Sequence, residues 1–109
     1  MKNFRVGVGY DIHQLKNNNK LILGGVLIPH YKGTVAHSDG DVVIHAICDA
    51  LLGAAGLGDI GHFFPDNDDR FKDIDSTVLL KKVFKMIQQN SFFVVNIDVS
   101  IVLEVPKLK

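Results

Sequence analysis

The 109-residue sequence contains one cysteine, Cys48, no tryptophan, and a single glutamate, Glu104, among its 12 acidic residues. One thiol cannot close an internal disulfide or build a Cys-rich structural zinc site, and it fits a reducing compartment. Net charge is also lacking, with 12 Lys and Arg against 12 Asp and Glu. That balance argues against a general binder of nucleic acid or of membrane surfaces. There is no run of 18 apolar residues, no signal-peptide stretch and no Arg/Ser-rich transit pattern. The sequence reads as a cytoplasmic protein with neither a nucleic-acid nor a membrane partner, and as one domain over residues 1–109 with a modest core. No internal repeat or low-complexity tract is visible.

The scarcity of Glu means that nearly all the acids are Asp, the shorter carboxylate favoured at caps, turns and metal sites. Several of them gather in Ala36 to Gly58, together with His37, Ser38 and His45. Asp39 or Asp41 can cap a helix that begins there. Asp41, His45 and Asp49 follow at i, i+4 and i+8, so they share one helix face. Ala46, Ile47, Ala50, Leu51, Ala54 and Ala55 are small or apolar, which predicts a helix buried on several sides. The plain explanation for the polar face is a few buried groups satisfied by their neighbours.

Upstream, Phe4, Val6, Val8 and Tyr10 alternate with Arg5, Gly7 and Gly9, predicting a strand with its apolar face inward and a glycine face open to close approach. It ends in Asp11-Ile12-His13, where extended backbone points Asp11 and His13 the same way. Lys16 to Lys20 reads as a polar loop, and Leu21–Leu23 with Val26–Ile28 as a hairpin around Gly24-Gly25, ended by Pro29. His30 lies among turn residues, which makes it a weak catalytic candidate. After the helix, Gly56 to Gly61 starts a loop, and His62 to Arg70 is either a solvated turn or a lid. Asp75-Ser76 caps a second helix whose stripe of Leu79, Leu80, Val83, Phe84 and Ile87 lies opposite Lys81, Lys82 and Lys85. From Phe93 to Leu103 the odd positions are apolar, predicting a long strand with one buried face, and Pro106 breaks its pairing.

The elements add up to an α+β domain. Asp11, His13 and His45 offer one carboxylate and two imidazoles, three ligands that leave a fourth tetrahedral position open, as in catalytic zinc sites.

GYDIHQL, LGGVLIP, AHSDGDVVIHAICDALLGAAGLGDIG, FPD and the final strand with its VPK closely resemble the 2-C-methyl-D-erythritol 2,4-cyclodiphosphate synthases, lyases of the non-mevalonate isoprenoid pathway. The resemblance covers nearly the whole chain. It implies a mixed β-sheet with helices packed on one face, in a homotrimer whose active sites lie between subunits. It further implies that a phosphate of the methylerythritol substrate attacks the β-phosphorus of its cytidine diphosphate ester, closing a cyclic diphosphate and releasing CMP.

By the same resemblance Asp11, His13 and His45 hold one Zn²⁺ per subunit and also meet substrate, while Mg²⁺ or Mn²⁺ accompanies the diphosphate. His37 stands in the place of a transition-state stabiliser, and His37 and Ser38 contact phosphates. Asp59, Ile60 and Gly61 hold the methylerythritol part, with Phe64, Pro65, Asp66, Asn67 and Asp68 as the loop beside it. Leu103, Glu104, Val105, Pro106, Lys107, Leu108 and Lys109 embrace the cytidine, with Lys107 near a phosphate. Asp39, Asp41 and Asp49 cap the helix or orient His45 and the loop.

Family members continue into a further helix, a strand and a Thr-Thr-x-Glu motif, so the chain reads as C-terminally truncated. The alternatives are an inert metal- and cytidine-nucleotide-binding fragment of that enzyme and, less favoured, a zinc hydrolase. The hydrolase wants a nearby acidic general base, and Glu104 lies far along the chain.

Overall fold

A computed structural model describes residues 4–106. Four short strands, β1 (Leu15–Asn17), β2 (Leu21–Leu23), β3 (Val26–Ile28) and β4 (Lys32–Thr34), precede helices α1 (Val42–Ala54), α2 (Ile60–Phe63) and α3 (Ser76–Gln89). The α+β class holds. The expected mixed sheet is replaced by two separate antiparallel pairs, β1 with β4 and β2 with β3. The β2–β3 hairpin lies where the sequence put it, with Leu23 opposite Val26. Gly24 and Gly25 turn at φ of 60° and 80°, values that side chains resist. The expected loop from Lys16 is partly strand, because Lys16 and Asn17 pair with Gly33 and Lys32.

Helix α1 starts at Asp41, whose carboxylate accepts the Ile44 N–H at 3.1 Å. The same buried side chain takes the N–H groups of Gly24 (2.9 Å) and Gly25 (2.6 Å), tying the hairpin turn to the helix start. Asp75 caps α3 through the Thr77 N–H. Leu79, Val83 and Ile87 are buried one turn apart, and Lys81, Lys82 and Lys85 face solvent as the periodicity predicts. Phe84, expected in the stripe, is exposed because it falls on the lysine side of the turn. Ile44, Cys48 and Leu52 of α1 meet Val83 of α3, with Leu57, Phe63, Phe64 and Met86 packed around them. Between α2 and α3 the chain makes a single 3₁₀ turn at Asp69–Phe71. Among the described residues no helix is long and apolar enough to cross a membrane.

The segment from Phe4 to Tyr10 corrects the sequence reading. It has no ladder partner among the described residues, and its apolar residues point outward, with Phe4, Val6, Val8 and Tyr10 each more than three quarters exposed. Its glycine face lies on α1. A methyl group at Gly7 would overlap the Ala50 carbonyl oxygen and crowd Ala54, and one at Gly9 would overlap the Ala46 carbonyl oxygen. Only hydrogen atoms permit so close an approach to a row of alanines, and the larger side chains must then lie on the opposite side. Arg5 adds an anchor, its guanidinium 3.5 Å from the Ala54 carbonyl oxygen and stacked on the Phe92 ring.

The second correction falls on Phe93 to Leu103, which forms no strand with a buried face. Phe93, Val95, Ile97, Val99 and Ile101 are exposed, and the segment has no ladder partner among the described residues.

Candidate metal centre and active site

Three parts of the chain converge beside the first turns of α1. The end of the N-terminal segment supplies Asp11 and His13, whose alternation places both on the side facing the helix. Helix α1 supplies His45 one turn after its cap, and α3 supplies its first residue, Ser76. The Asp11 Oδ2 lies 3.1 Å from His13 Nε2 and 3.1 Å from His45 Nδ1. One donor atom from each of the three residues falls within 4.8 Å of the others, and all three side chains are half-buried. The His13 and His45 rings meet edge to face at 80°. Burial works to raise the Asp11 carboxyl, but the His45 hydrogen bond and the charges of His13 and His45 outweigh it and hold the pKa below 3.8.

Whether these residues fit a metal ion is decided by His13. Its Nε2 is buried and has no hydrogen-bond partner. The Asp11 oxygen is close enough for charge attraction but is not aligned to accept a hydrogen bond. A buried imidazole nitrogen left without a partner is costly, and it is aimed at a carboxylate oxygen and a second imidazole nitrogen. One oxygen and two nitrogen donors with an open side suit a borderline ion such as zinc.

The other nitrogen of His45, Nε2, lies 2.8 Å from Ser76 Oγ and 3.1 Å from Ser38 Oγ. The Ser76 hydroxyl donates to Asp39, which also accepts the Ser76 N–H (2.8 Å) and the Asp41 N–H (3.1 Å). Asp39 therefore joins the start of α3 to the loop before α1, a stronger tie than the expected capping role. Sequence reasoning missed Ser76, which is buried and takes no part in capping because Asp75 does that work. Two candidate caps in succession were the one available sign that the second had another task.

Asp49 was expected to orient His45 or the loop, and it contacts the loop, accepting the Ile60 N–H at 2.7 Å. Burial raises its carboxyl above 3.8 with help from the Asp59 and Asp11 charges, while the Ile60 bond pulls the other way. Asp59 caps α2 by accepting the His62 N–H at 2.9 Å.

A cleft of about 310 Å³ opens over the cluster. Asp11, His13, His37, Ser38, His45, Ile60, Gly61, Phe64 and Asp66 line it, with apolar wall from Val35, Phe71 and Leu79. His37 is aimed by the loop opposite: its Nε2 is 2.9 Å from the Asp68 carbonyl oxygen, which can only accept, so Nε2 carries a proton. The Asp68 carboxylate binds Arg70 at 2.6 Å and so braces that loop. Asp59, Pro65, Asn67 and Asp68 belong to the flanking segment and do not line the cleft. Leu103, Glu104, Val105 and Pro106 do not line it either, and Lys107, Leu108 and Lys109 lie outside the described residues. With a cation held by Asp11, His13 and His45 at one end and an aromatic, aliphatic wall at the other, the cleft would suit a small anionic molecule with an apolar part.

The sequence matches the YgbB family over residues 4–109. The chain belongs to the YgbB family. Curated YgbB relatives include the 2-C-methyl-D-erythritol 2,4-cyclodiphosphate synthase of Fusobacterium nucleatum, 55% identical over 105 residues, which cover 96% of this chain and 66% of the relative. That of Desulfosudis oleivorans is 55% identical over 104 residues, covering 95% and 62%. The chain thus spans just under two thirds of the length of these relatives. Among solved structures, a 2C-methyl-D-erythritol-2,4-cyclodiphosphate synthase in a CDP-bound form superposes with a TM-score of 0.74 at 46% identity, covering 80% of this chain and 58% of that one.

Proposed function

We propose that the chain works as a 2-C-methyl-D-erythritol 2,4-cyclodiphosphate synthase of isoprenoid precursor biosynthesis, releasing CMP from 4-diphosphocytidyl-2-C-methyl-D-erythritol 2-phosphate. The observation that carries this reading is the unpartnered His13 Nε2 facing Asp11 and His45 in a cleft lined by His37 and Ser38. The YgbB relatives supply the reaction to which that cleft is matched.

The substrate's 2-phosphate attacks the β-phosphorus, the bond from that phosphorus to the bridging oxygen breaks, and CMP leaves with the oxygen. Two anions must be brought into line, so positioning and charge neutralisation dominate the barrier. A zinc ion held by Asp11, His13 and His45 supplies positive charge at a fixed point when bound. His37, aimed from the opposite wall by the Asp68 carbonyl, reaches charge building on the phosphates. Ser38, whose hydroxyl lies 3.1 Å from His45 Nε2, meets the phosphates from the same wall. The Asp59–Gly61 segment, fixed to α1 by Asp49, holds the methylerythritol part, with Phe64 to Asp68 as its wall. Residues Leu103 to Lys109 take the cytidine. Mg²⁺ or Mn²⁺ accompanies the substrate diphosphate.

We further propose one domain per chain and a homotrimer that works in the cytoplasm. The outward apolar residues of Phe4–Tyr10 and Phe93–Ile101 support assembly, since so many large exposed apolar side chains ordinarily meet a partner.

Zinc content and CMP release, measured on the same samples of wild type and His45→Ala, test the reading. About one zinc per chain is expected in wild type, lost in the variant together with more than about 100-fold of CMP release. Cytidine nucleotide binding without CMP release would favour the inert module, and CMP release without a cyclic product would favour a hydrolase.

A further inference from the structure

We infer that Ser76, backed by Asp39, is a positioning residue of the metal centre: it accepts the Nε2 proton of His45 and so leaves the Nδ1 lone pair for the ion. The inference rests on the metal-centre reading given above and adds to it a residue from α3. A serine hydroxyl has one proton to give. Ser76 gives that proton to the Asp39 carboxylate, which collects the Ser76 and Asp41 backbone N–H groups as well and acts throughout as an acceptor. With its proton committed, Ser76 Oγ meets His45 Nε2, 2.8 Å away, with lone pairs alone, so the hydrogen there belongs to the imidazole. A neutral imidazole protonated at Nε2 is unprotonated at Nδ1, the nitrogen that faces Asp11 Oδ2 beside His13.

With no ion bound, a second proton, on a charged imidazole, bridges Nδ1 and the Asp11 oxygen across 3.1 Å; the ion takes that proton's place, while the Nε2 proton stays with Ser76. The Ser76 contact therefore serves the loaded site. Ser38 is the other candidate acceptor for the Nε2 proton, but it is farther away at 3.1 Å and already accepts the Gly40 N–H. Ser76 is fully buried, so water does not replace its oxygen when it is removed.

The test uses the full chain loaded with zinc, comparing wild type, Ser76→Ala and Asp39→Asn. Zinc affinity is read by competition with a chromophoric chelator, and the His45 Nε2–H by nitrogen-edited NMR. Ser76→Ala should weaken zinc binding about 10- to 100-fold and lose the slowly exchanging Nε2–H signal, in a chain that still unfolds cooperatively at a lowered midpoint because buried partners of the hydroxyl are left unpaired. Asp39→Asn puts an NH₂ donor where Ser76 needs an acceptor, turns the hydroxyl proton toward His45, and should weaken zinc to a similar degree. A wild type that takes up no zinc overturns the metal-centre reading and this inference with it. A wild type that binds zinc tightly beside a folded Ser76→Ala that binds equally well overturns the inference alone. So does zinc loss in both variants that merely tracks lost folding.

Discussion

The two long flanks of helix α1 are covered in opposite ways. On one flank Ile44, Cys48 and Leu52 interlock with Val83 of α3, side chain against side chain. On the other, bare backbone at Gly7 and Gly9 rests on Ala46, Ala50 and Ala54. The first flank stabilises through buried apolar area and adjusts when one side chain changes. The second has little area and no slack, but it fixes the distance between the segment carrying Asp11 and His13 and the helix carrying His45. One flank holds the fold together, and the other sets the geometry of the site.

That division can be tested by perturbing each flank. The largest effect is expected at Cys48, where burial and then the charges of Asp49 and Asp41 push the thiol up to about 12 from 9.0. Labelling by a thiol reagent at pH 8 should be about 1,000-fold slower in the native protein than after unfolding, because only the thiolate reacts. Labelling at the unfolded rate in native buffer would show that the side-chain flank is not sealed. Next, Leu52→Ala should cost about 3 kcal/mol in urea unfolding, since Leu52 is fully buried, and should leave zinc affinity nearly intact. Gly9→Ala should cost about 2 kcal/mol by forcing the segment off α1, yet weaken zinc more than Leu52→Ala does. Equal zinc affinities in these two variants would erase the distinction between the flanks. Smallest is Val8→Ser, whose side chain is 85% exposed, at no more than about 0.5 kcal/mol for the isolated chain. A larger, concentration-dependent loss would show that the outward row is covered by another copy.

What could be read in the sequence follows the same division. Helices α1 and α3, the cap at Asp75, a first cap at Asp39 or Asp41, and the Gly24-Gly25 turn were legible because each depends on neighbours within a few residues, whereas the short α2 lay in what read as loop. Asp11, His13 and His45 were legible as a set because strand and helix periods place each side chain on a known face. Alternation from Phe4 to Tyr10 gave the period but not the side, since it cannot say whether large side chains or glycines meet the neighbouring element. The β1–β4 pairing was hidden because its partners Lys16 and Gly33 carry no apolar pattern. Ser76 was hidden because its partners, Asp39 and His45, lie more than 30 residues away in sequence.

The Asp41 carboxylate has a consequence for how the site opens and closes. It serves Ile44 at the helix start and Gly24 and Gly25 in the hairpin turn at once, so neither end is satisfied unless the other is in place. The hairpin turn and the first turn of α1 should then behave as one cooperative unit, and their amide hydrogens should exchange with solvent at a common opening free energy. His45 is the next residue after Ile44. Fluctuations that free the turn would therefore also release the metal ligand, and the hairpin, which contributes no ligand of its own, governs how long the site stays assembled.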